Sequence, residues 1–238
     1  MTENNKLPKH IAIIPDGNRR WAKKHKLDVW LGHRKGSDIM DKLADIMIEM
    51  NIPYFSFWGS SKDNLIKRPK IEVKFLLNLF KEKFLELAEN EKIHNNNVKI
   101  NIIGDWENQF PKDVCSALNK AIDSTKDYDD FYLNFFLAYS GTSEILDTIK
   151  CIAQKSRKDE FLNIDEKLLK NCLLTKDLPP VDLMIRTGGE PHLSDGFMMW
   201  ETANSQLYFF EKYWPDFDEN DFKIAIEDYS KRCRRYGK

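Results

Sequence analysis

Short apolar runs that end at glycine or polar turns, and that alternate with amphipathic stretches, constrain this chain more than any other feature. His10-Ile11-Ala12-Ile13-Ile14 is stopped by Pro15-Asp16-Gly17 and reads as a buried strand entering a turn. Ile39, Met40, Leu43, Ile46, Met47 and Met50 then recur at helical spacing from Ser37 to Met50. Further strands are expected at Pro53–Trp58, Val98–Ile103, Tyr132–Tyr139, Val181–Ile185 and Ser205–Phe210. The helices between them start after Pro69, at about Lys112 and near Ile145, and a charged helix follows Asp218. No repeat, linker or low-complexity tract divides the chain, so residues 1–238 read as a single domain. The fold class is α/β, with a mainly parallel central sheet flanked by helices.

In open sheets of this kind ligands sit outside the carboxyl ends of the strands, which directs attention to the loops there. Those loops carry Asp16-Gly17-Asn18-Arg19-Arg20, Ser60-Ser61-Lys62-Asp63-Asn64, Gly104-Asp105, Ser140-Gly141 and Arg186-Thr187-Gly188-Gly189-Glu190. Glycines, hydroxyls and arginines with an acid suit a multiply charged anion and a divalent cation. Gly17 lets the backbone approach a ligand, a helix starting near Asn18 points free amides at it, and Arg20 can grip a phosphate. Asp16 can hold a magnesium ion that bridges diphosphate oxygens. Read alone, the same Asp-Gly-Asn is more readily a capped turn among solvated basic residues. The Arg186 loop repeats the chemistry as a second anion cradle. His33, in Gly32-His33-Arg34-Lys35-Gly36 just before a helix, is a phosphate ligand or proton carrier on one reading and a surface or capping histidine on the other.

Composition narrows the classes. The 37 Lys+Arg nearly balance 38 Asp+Glu, for a net charge of −1, which argues against a dedicated nucleic-acid binder. Apolar residues at 42% exclude a disordered chain. The apolar stretch from Phe131 to Tyr139 is too short to span a bilayer, and no basic, apolar leader opens the chain, so a cytoplasmic protein is expected. Cys115, Cys151, Cys172 and Cys233 form no CxxC pair, and the histidines lack metal-ligand spacing. Free thiols are therefore expected, and any metal must be held by carboxylates.

The loop Ile13-Ile14-Pro15-Asp16-Gly17-Asn18-Arg19-Arg20-Trp21-Ala22 resembles the signature of the cis-prenyltransferases, the undecaprenyl diphosphate synthase family. Gly32-His33-Arg34-Lys35-Gly36, Ser61 with Asn64, Arg68-Pro69, the Arg186 loop with Ser194, Leu207-Tyr208-Phe209, Trp214-Pro215-Asp216-Phe217 and Arg232-Cys233-Arg234-Arg235-Tyr236-Gly237 follow in the family's order. The similarity runs from about His10 to Gly237. It implies a homodimer with an apolar tunnel, and Mg2+-dependent condensation of isopentenyl diphosphate with an allylic prenyl diphosphate. Contact with a membrane for product release stays open, and no nucleic-acid partner is implied.

Carried over by position, the resemblance gives catalytic roles to Asp16, Asn18, His33, Ser61 and Asn64. It gives substrate contacts to Gly17, Arg19, Arg20, Trp21, Arg68, Arg186, His192, Ser194 and Arg234. Asp16 is the metal ligand, joined by Gln206 with an amide where the family has a glutamate. Other positions also depart: Arg19 replaces a glycine, Val29 and His192 replace arginines, and Leu65 replaces an aromatic. One extra residue lies between Asn64 and Arg68, and another follows Ser194. Phe136 and Leu137 fall near tunnel-lining positions, and their bulk suggests a short product. These departures keep two alternatives open: irregular prenyl coupling or terpene-synthase-like ionisation on the same fold, and a catalytically weak partner subunit.

Overall fold

The computed structural model describes residues 7–232. Its elements run β1 (His10–Ile14), α1 (Asn18–Lys24), α2 (Val29–Glu49), β2 (Tyr54–Trp58), α3 (Lys62–Lys67), α4 (Lys70–Ala88) and α5 (Glu91–Asn95). They continue with β3 (Val98–Ile103), α6 (Trp106–Gln109), α7 (Lys112–Thr125), β4 (Phe131–Phe136), α8 (Gly141–Ser156) and α9 (Glu166–Cys172). Last come β5 (Leu183–Arg186), β6 (Gln206–Phe209) and α10 (Glu219–Lys231), with single 3-10 turns at Ser194–Gly196 and Trp214–Asp216.

All six strands join one sheet in the order β3-β4-β2-β1-β5-β6, and every pairing is parallel. Strand β1 is buried along its whole length, as its unbroken apolar run requires of a central parallel strand covered on both faces. Alternate residues go to opposite sides. Ile11, Ile13, Phe55, Leu133 and Phe135 pack with residues of α2, α4, α7 and α10. Ala12, Ile14, Trp58, Phe136 and Met184 pack on the other side with Tyr139, Val181 and Phe197. From β1 the chain moves to β2 on one side, and later returns to place β5 on the other. The loops after β1 and β5 therefore open a crevice at the strands' carboxyl edge.

Several expectations need correction. Helix α2 begins at Val29, so Gly32-His33-Arg34-Lys35-Gly36 lies inside it rather than before it. Both glycines are there for close approach: a Cβ at Gly32 would stand 2.4 Å from the Asn18 carbonyl oxygen, and one at Gly36 2.6 Å from the Trp214 ring. His33 is accordingly buried, not a surface residue. Strand β4 stops at Phe136, because Ala138 takes a positive φ of 50°. Cys151 and Cys172 are joined in a disulfide between α8 and α9, where free thiols were expected. Their 21-residue separation hid a proximity that only the packing of the two helices creates. Cys115 is free.

Candidate active site

The chain leaves β1 through Pro15 and turns on Gly17, whose φ of 109° and 2.7 Å clearance from the Tyr213 ring to a hypothetical Cβ exclude a larger residue. That turn fixes Asp16 at the crevice. Its backbone carbonyl accepts from Thr187 Oγ1 (2.8 Å) and from the Trp214 N–H (2.9 Å), tying the first loop to the loops after β5 and β6. Its carboxylate lies between two guanidiniums. Arg186 Nη2 stands 2.8 Å from Oδ2, and Arg20 Nη2 stands 3.1 Å from Oδ1. Arg186 is buried at the end of β5, donates from Nη1 to the His192 carbonyl, and has no partner for Nε among the described residues. Arg20 is more open, reaches Glu190 at 3.2 Å and stacks over Tyr213.

A second unit forms on the opposite wall. Ser61 caps α3 by accepting the Asn64 N–H at 3.1 Å, and Asn64 Oδ1 accepts from Arg68 Nη2 at 2.8 Å. Arg68 Nη1 approaches Glu72 Oε1 at 3.2 Å. The same oxygen lies 3.3 Å from His33 Nε2, and the other carboxylate oxygen lies 3.5 Å from Arg19 Nε. Glu72 is 3% exposed and was not anticipated from the sequence. It sits in the first turn of an amphipathic helix, where an acid is ordinary, so only its partners distinguish it. Burial opposes its ionisation, but His33, Arg68 and Arg19 together hold its carboxyl below the ordinary range. Burial, reinforced by Arg68, lowers the His33 imidazole despite Glu72, so the ring is neutral at pH 7. Nε2 faces both Glu72 and Arg68 Nη1, at 3.3 and 3.5 Å; in the tautomer that donates Nε2–H to Glu72, Nδ1 carries the lone pair that can accept a proton.

These residues border a polar cleft of about 290 Å³, lined among others by Asp16, Ser61, Asn64, Arg68, Arg186 and Ser194. Behind it lies a narrow apolar cavity of about 80 Å³, walled by Met40, Phe57, Leu76, Phe80, Phe135 and Leu137. Pro15, Asn18, His33 and Gly59 line both. Asn18 is oriented by donating to the Pro15 carbonyl at 3.2 Å, and its buried Oδ1 has no partner among the described residues at the junction. Phe136, expected near the tunnel, faces the other side of the sheet against Trp58 and Phe197, whereas Leu137 does line the cavity.

Not every anticipated residue converges. Trp21 is buried and donates from Nε1 to Asp216 at 2.6 Å, outside the cleft lining. His192 is exposed and offers Arg186 its carbonyl, not its ring. Gln206 opens β6 opposite Leu183, whereas Arg186, the residue that approaches Asp16, pairs with Phe209. Within one chain Gln206 thus lies at the far edge of the sheet from Asp16. Arg234 falls outside the described residues. Asp63 and Asp195 line the cleft without having been singled out.

No group of three or more His, Cys, Asp or Glu among the described residues is placed to hold a metal alone. Asp16, in a cleft bordered by arginines and lined also by Asp63 and Asp195, fits a magnesium ion whose remaining ligands would be phosphate oxygens and water.

The family model described as "Putative undecaprenyl diphosphate synthase" matches residues 14–237. The chain is 42% identical over 234 residues to the tritrans,polycis-undecaprenyl-diphosphate synthase (geranylgeranyl-diphosphate specific) of Pyrococcus horikoshii, covering 98% of this chain and 88% of that protein. It is also 42% identical over 233 residues to an isoprenyl transferase of Oceanobacillus iheyensis, covering 97% and 90%. Among solved structures, lavandulyl diphosphate synthase from Lavandula x intermedia, in complex with dimethylallyl diphosphate, superposes with a TM-score of 0.88 at 28% identity, covering 98% of this chain and 99% of that one.

Proposed function

Because the chain belongs to the undecaprenyl diphosphate synthase family of prenyltransferases, we propose that it joins isopentenyl diphosphate to an allylic prenyl diphosphate with Mg2+, in cis geometry. The observation that carries this reading is the continuity of the polar cleft with the apolar cavity through Pro15, Asn18, His33 and Gly59. A diphosphate head and a hydrocarbon tail need that arrangement.

In the reaction the allylic carbon–oxygen bond breaks, diphosphate leaves, a carbon–carbon bond forms and isopentenyl loses a proton. Mg2+, when bound, would neutralise charge developing on the departing diphosphate, with Asp16 as its carboxylate. Arg20 and Arg186, already held against Asp16, supply fixed positive charge at no cost in reorganisation. Ser61, Asn64 and Arg68 act as one hydrogen-bonded unit across the cleft. His33, neutral and held by Glu72, is suited to receive the proton, with Asn18 beside it. The apolar wall keeps water from the allylic cation.

A homodimer is part of the proposal: α8 packs chiefly against α9 and the Ser194–Gly196 turn, and leaves Leu146 and Ile149 exposed. A cytoplasmic location with peripheral membrane contact is proposed as well. No described helix is long and apolar enough to cross a membrane.

The narrow cavity and the likeness to the lavender enzyme bound to dimethylallyl diphosphate favour one alternative, coupling of short allylic diphosphates in an irregular way. Incubation with Mg2+, radiolabelled isopentenyl diphosphate and, in parallel, dimethylallyl, geranyl or farnesyl diphosphate decides between the two. Label in a longer diphosphate supports elongation. Diphosphate released from an allylic substrate without label incorporation supports the alternative. Silence in every tube overturns both.

A further inference from the structure

One wall of the apolar cavity differs in kind from the rest. The cavity lies between α2 and α4, with Met40 on the first helix and Leu79 and Phe80 on the second. Among its described lining residues Lys83 is the one that carries a permanent charge. Lys83 stands on α4, and its Nζ reaches across to α2, 3.0 Å from Asp41 Oδ2 and 3.8 Å from Asp38 Oδ1. Glu86 of its own helix holds the same nitrogen from 3.0 Å. The lysine side chain is 18% exposed, whereas its three acids are much more open to water. The ammonium is thus drawn to the outer side of the seam between the helices, and the aliphatic stem is what the cavity meets.

The pairing belongs to a pattern along α2. Arg34, Asp38, Asp41 and Asp45 recur at i, i+4, i+7 and i+11, so they form one stripe on that helix. Arg34 pairs with Glu82 at 3.0 Å and Asp45 with Lys92 of α5 at 2.5 Å, on either side of the Lys83 cluster. The remaining walls are apolar and fixed by packing: Phe57 and Phe135 stand on paired strands, and α4 packs chiefly against α7. Partly exposed ion pairs are weak and screened by salt, so the seam between α2 and α4 is the wall that parts most readily. We propose that Lys83 is a length-determining residue: pinned across the seam by Asp41, it closes the side of the cavity and limits how much hydrocarbon tail fits. Its use in setting the length of a prenyl product rests on the function proposed above; the closure of the cavity does not.

The test measures binding of saturated n-alkyl phosphates of increasing length to the full chain by calorimetry. These have no allylic bond to ionise, so the readout does not depend on turnover. Wild-type affinity should rise about fourfold per added methylene up to a limiting length, beyond which the gain stops. In Lys83→Ala, and separately in Asp41→Ala, the rise should continue to longer chains. The exchanged pair, Asp41→Lys with Lys83→Glu, should return the limit to that of the wild type, which loss of bulk alone does not predict. Lys92→Ala breaks a pair of the same stripe outside the cavity lining and should leave the limit unchanged. Thermal melting of each variant guards against misfolding. No gain with chain length in the wild type, an unmoved limit in Lys83→Ala and Asp41→Ala, an equal shift in Lys92→Ala, or no restoration by the exchanged pair would each overturn the proposal. Turnover with an unmoved limit would sink this role of Lys83 and keep the proposed function, whereas a moved limit without turnover would do the reverse.

Discussion

The polar cleft and the apolar cavity share four walls and are built in opposite ways. The cavity is made by regular elements: Met40 on α2, Leu76 and Phe80 on α4, Phe57 on β2 and Phe135 on β4, each placed by helical or strand periodicity. The cleft is made by strand ends and loops that are remote in sequence, with Asp16 and Arg186 separated by 170 residues yet 2.8 Å apart. The cavity tolerates change as any core does, by volume. The cleft depends on a few charges held at fixed distances, and it should fail abruptly when one is removed.

The largest effect should come from Asp16→Asn. The amide keeps one acceptor oxygen for one of the two arginines, and the backbone bonds from Thr187 and Trp214 to the Asp16 carbonyl still hold the loop, but the metal carboxylate is gone; turnover measured by label incorporation should fall by about a thousandfold or more. Chelation of Mg2+ in the wild type should produce a comparable loss. Activity within tenfold of wild type after either treatment would remove the contrast between the two regions.

Glu72→Gln should reduce kcat by about ten- to a hundredfold, by loosening Arg68 and His33 without touching substrate. The pH profile supplies the discriminating readout. Burial and Arg68 hold His33 below the ordinary imidazole value of 6.5, so the wild-type rate should rise with pH along a limb lying below that value. Glu72 raises His33, so its replacement should move the limb to still lower pH. A limb that stays in place would detach Glu72 from His33.

For the cavity, Leu137→Ala should lengthen the product by at least one isoprene unit, resolved by chain-length chromatography. It should also cost about 2–5 kcal/mol of stability in denaturant unfolding, as deletion of a buried leucine does. An identical product distribution would mean that Leu137 does not limit the tail. His192→Ala should change kcat/KM by no more than about twofold, since an exposed ring is removed and the carbonyl bound by Arg186 remains. A larger loss would restore the ring to the diphosphate site.

Much of this was legible from residues alone, for identifiable reasons. Strand β1 was readable because a run of His10 to Ile14 ending at Pro-Asp-Gly permits little else. Helices α4 and α7 were readable from their periodicity and the prolines before them. Asp16, Arg20 and Arg186 were readable because they follow strands that a parallel sheet must end at one edge. The start of α2 was missed because Gly32 and Gly36 look like helix breakers until Asn18 and Trp214 are seen against them. Phe136 was assigned to the wrong side because the strand's phase relative to the cavity is a property of the packed sheet.

By itself, the amino-acid sequence determined the α/β alternation, the sheet edge where the polar cleft opens and the chemical character of that edge, since periodicity and turn residues are local and loop composition follows them. The sequence also carried the family's ordered motifs. Only the tertiary structure decided that Glu72 is the buried partner of three cationic or titratable groups, that Trp21 serves Asp216 outside the cleft, that Gln206 lies across the sheet from Asp16, and that Cys151 meets Cys172. Each of these depends on which elements pack against one another, a distance in space that chain separation does not encode.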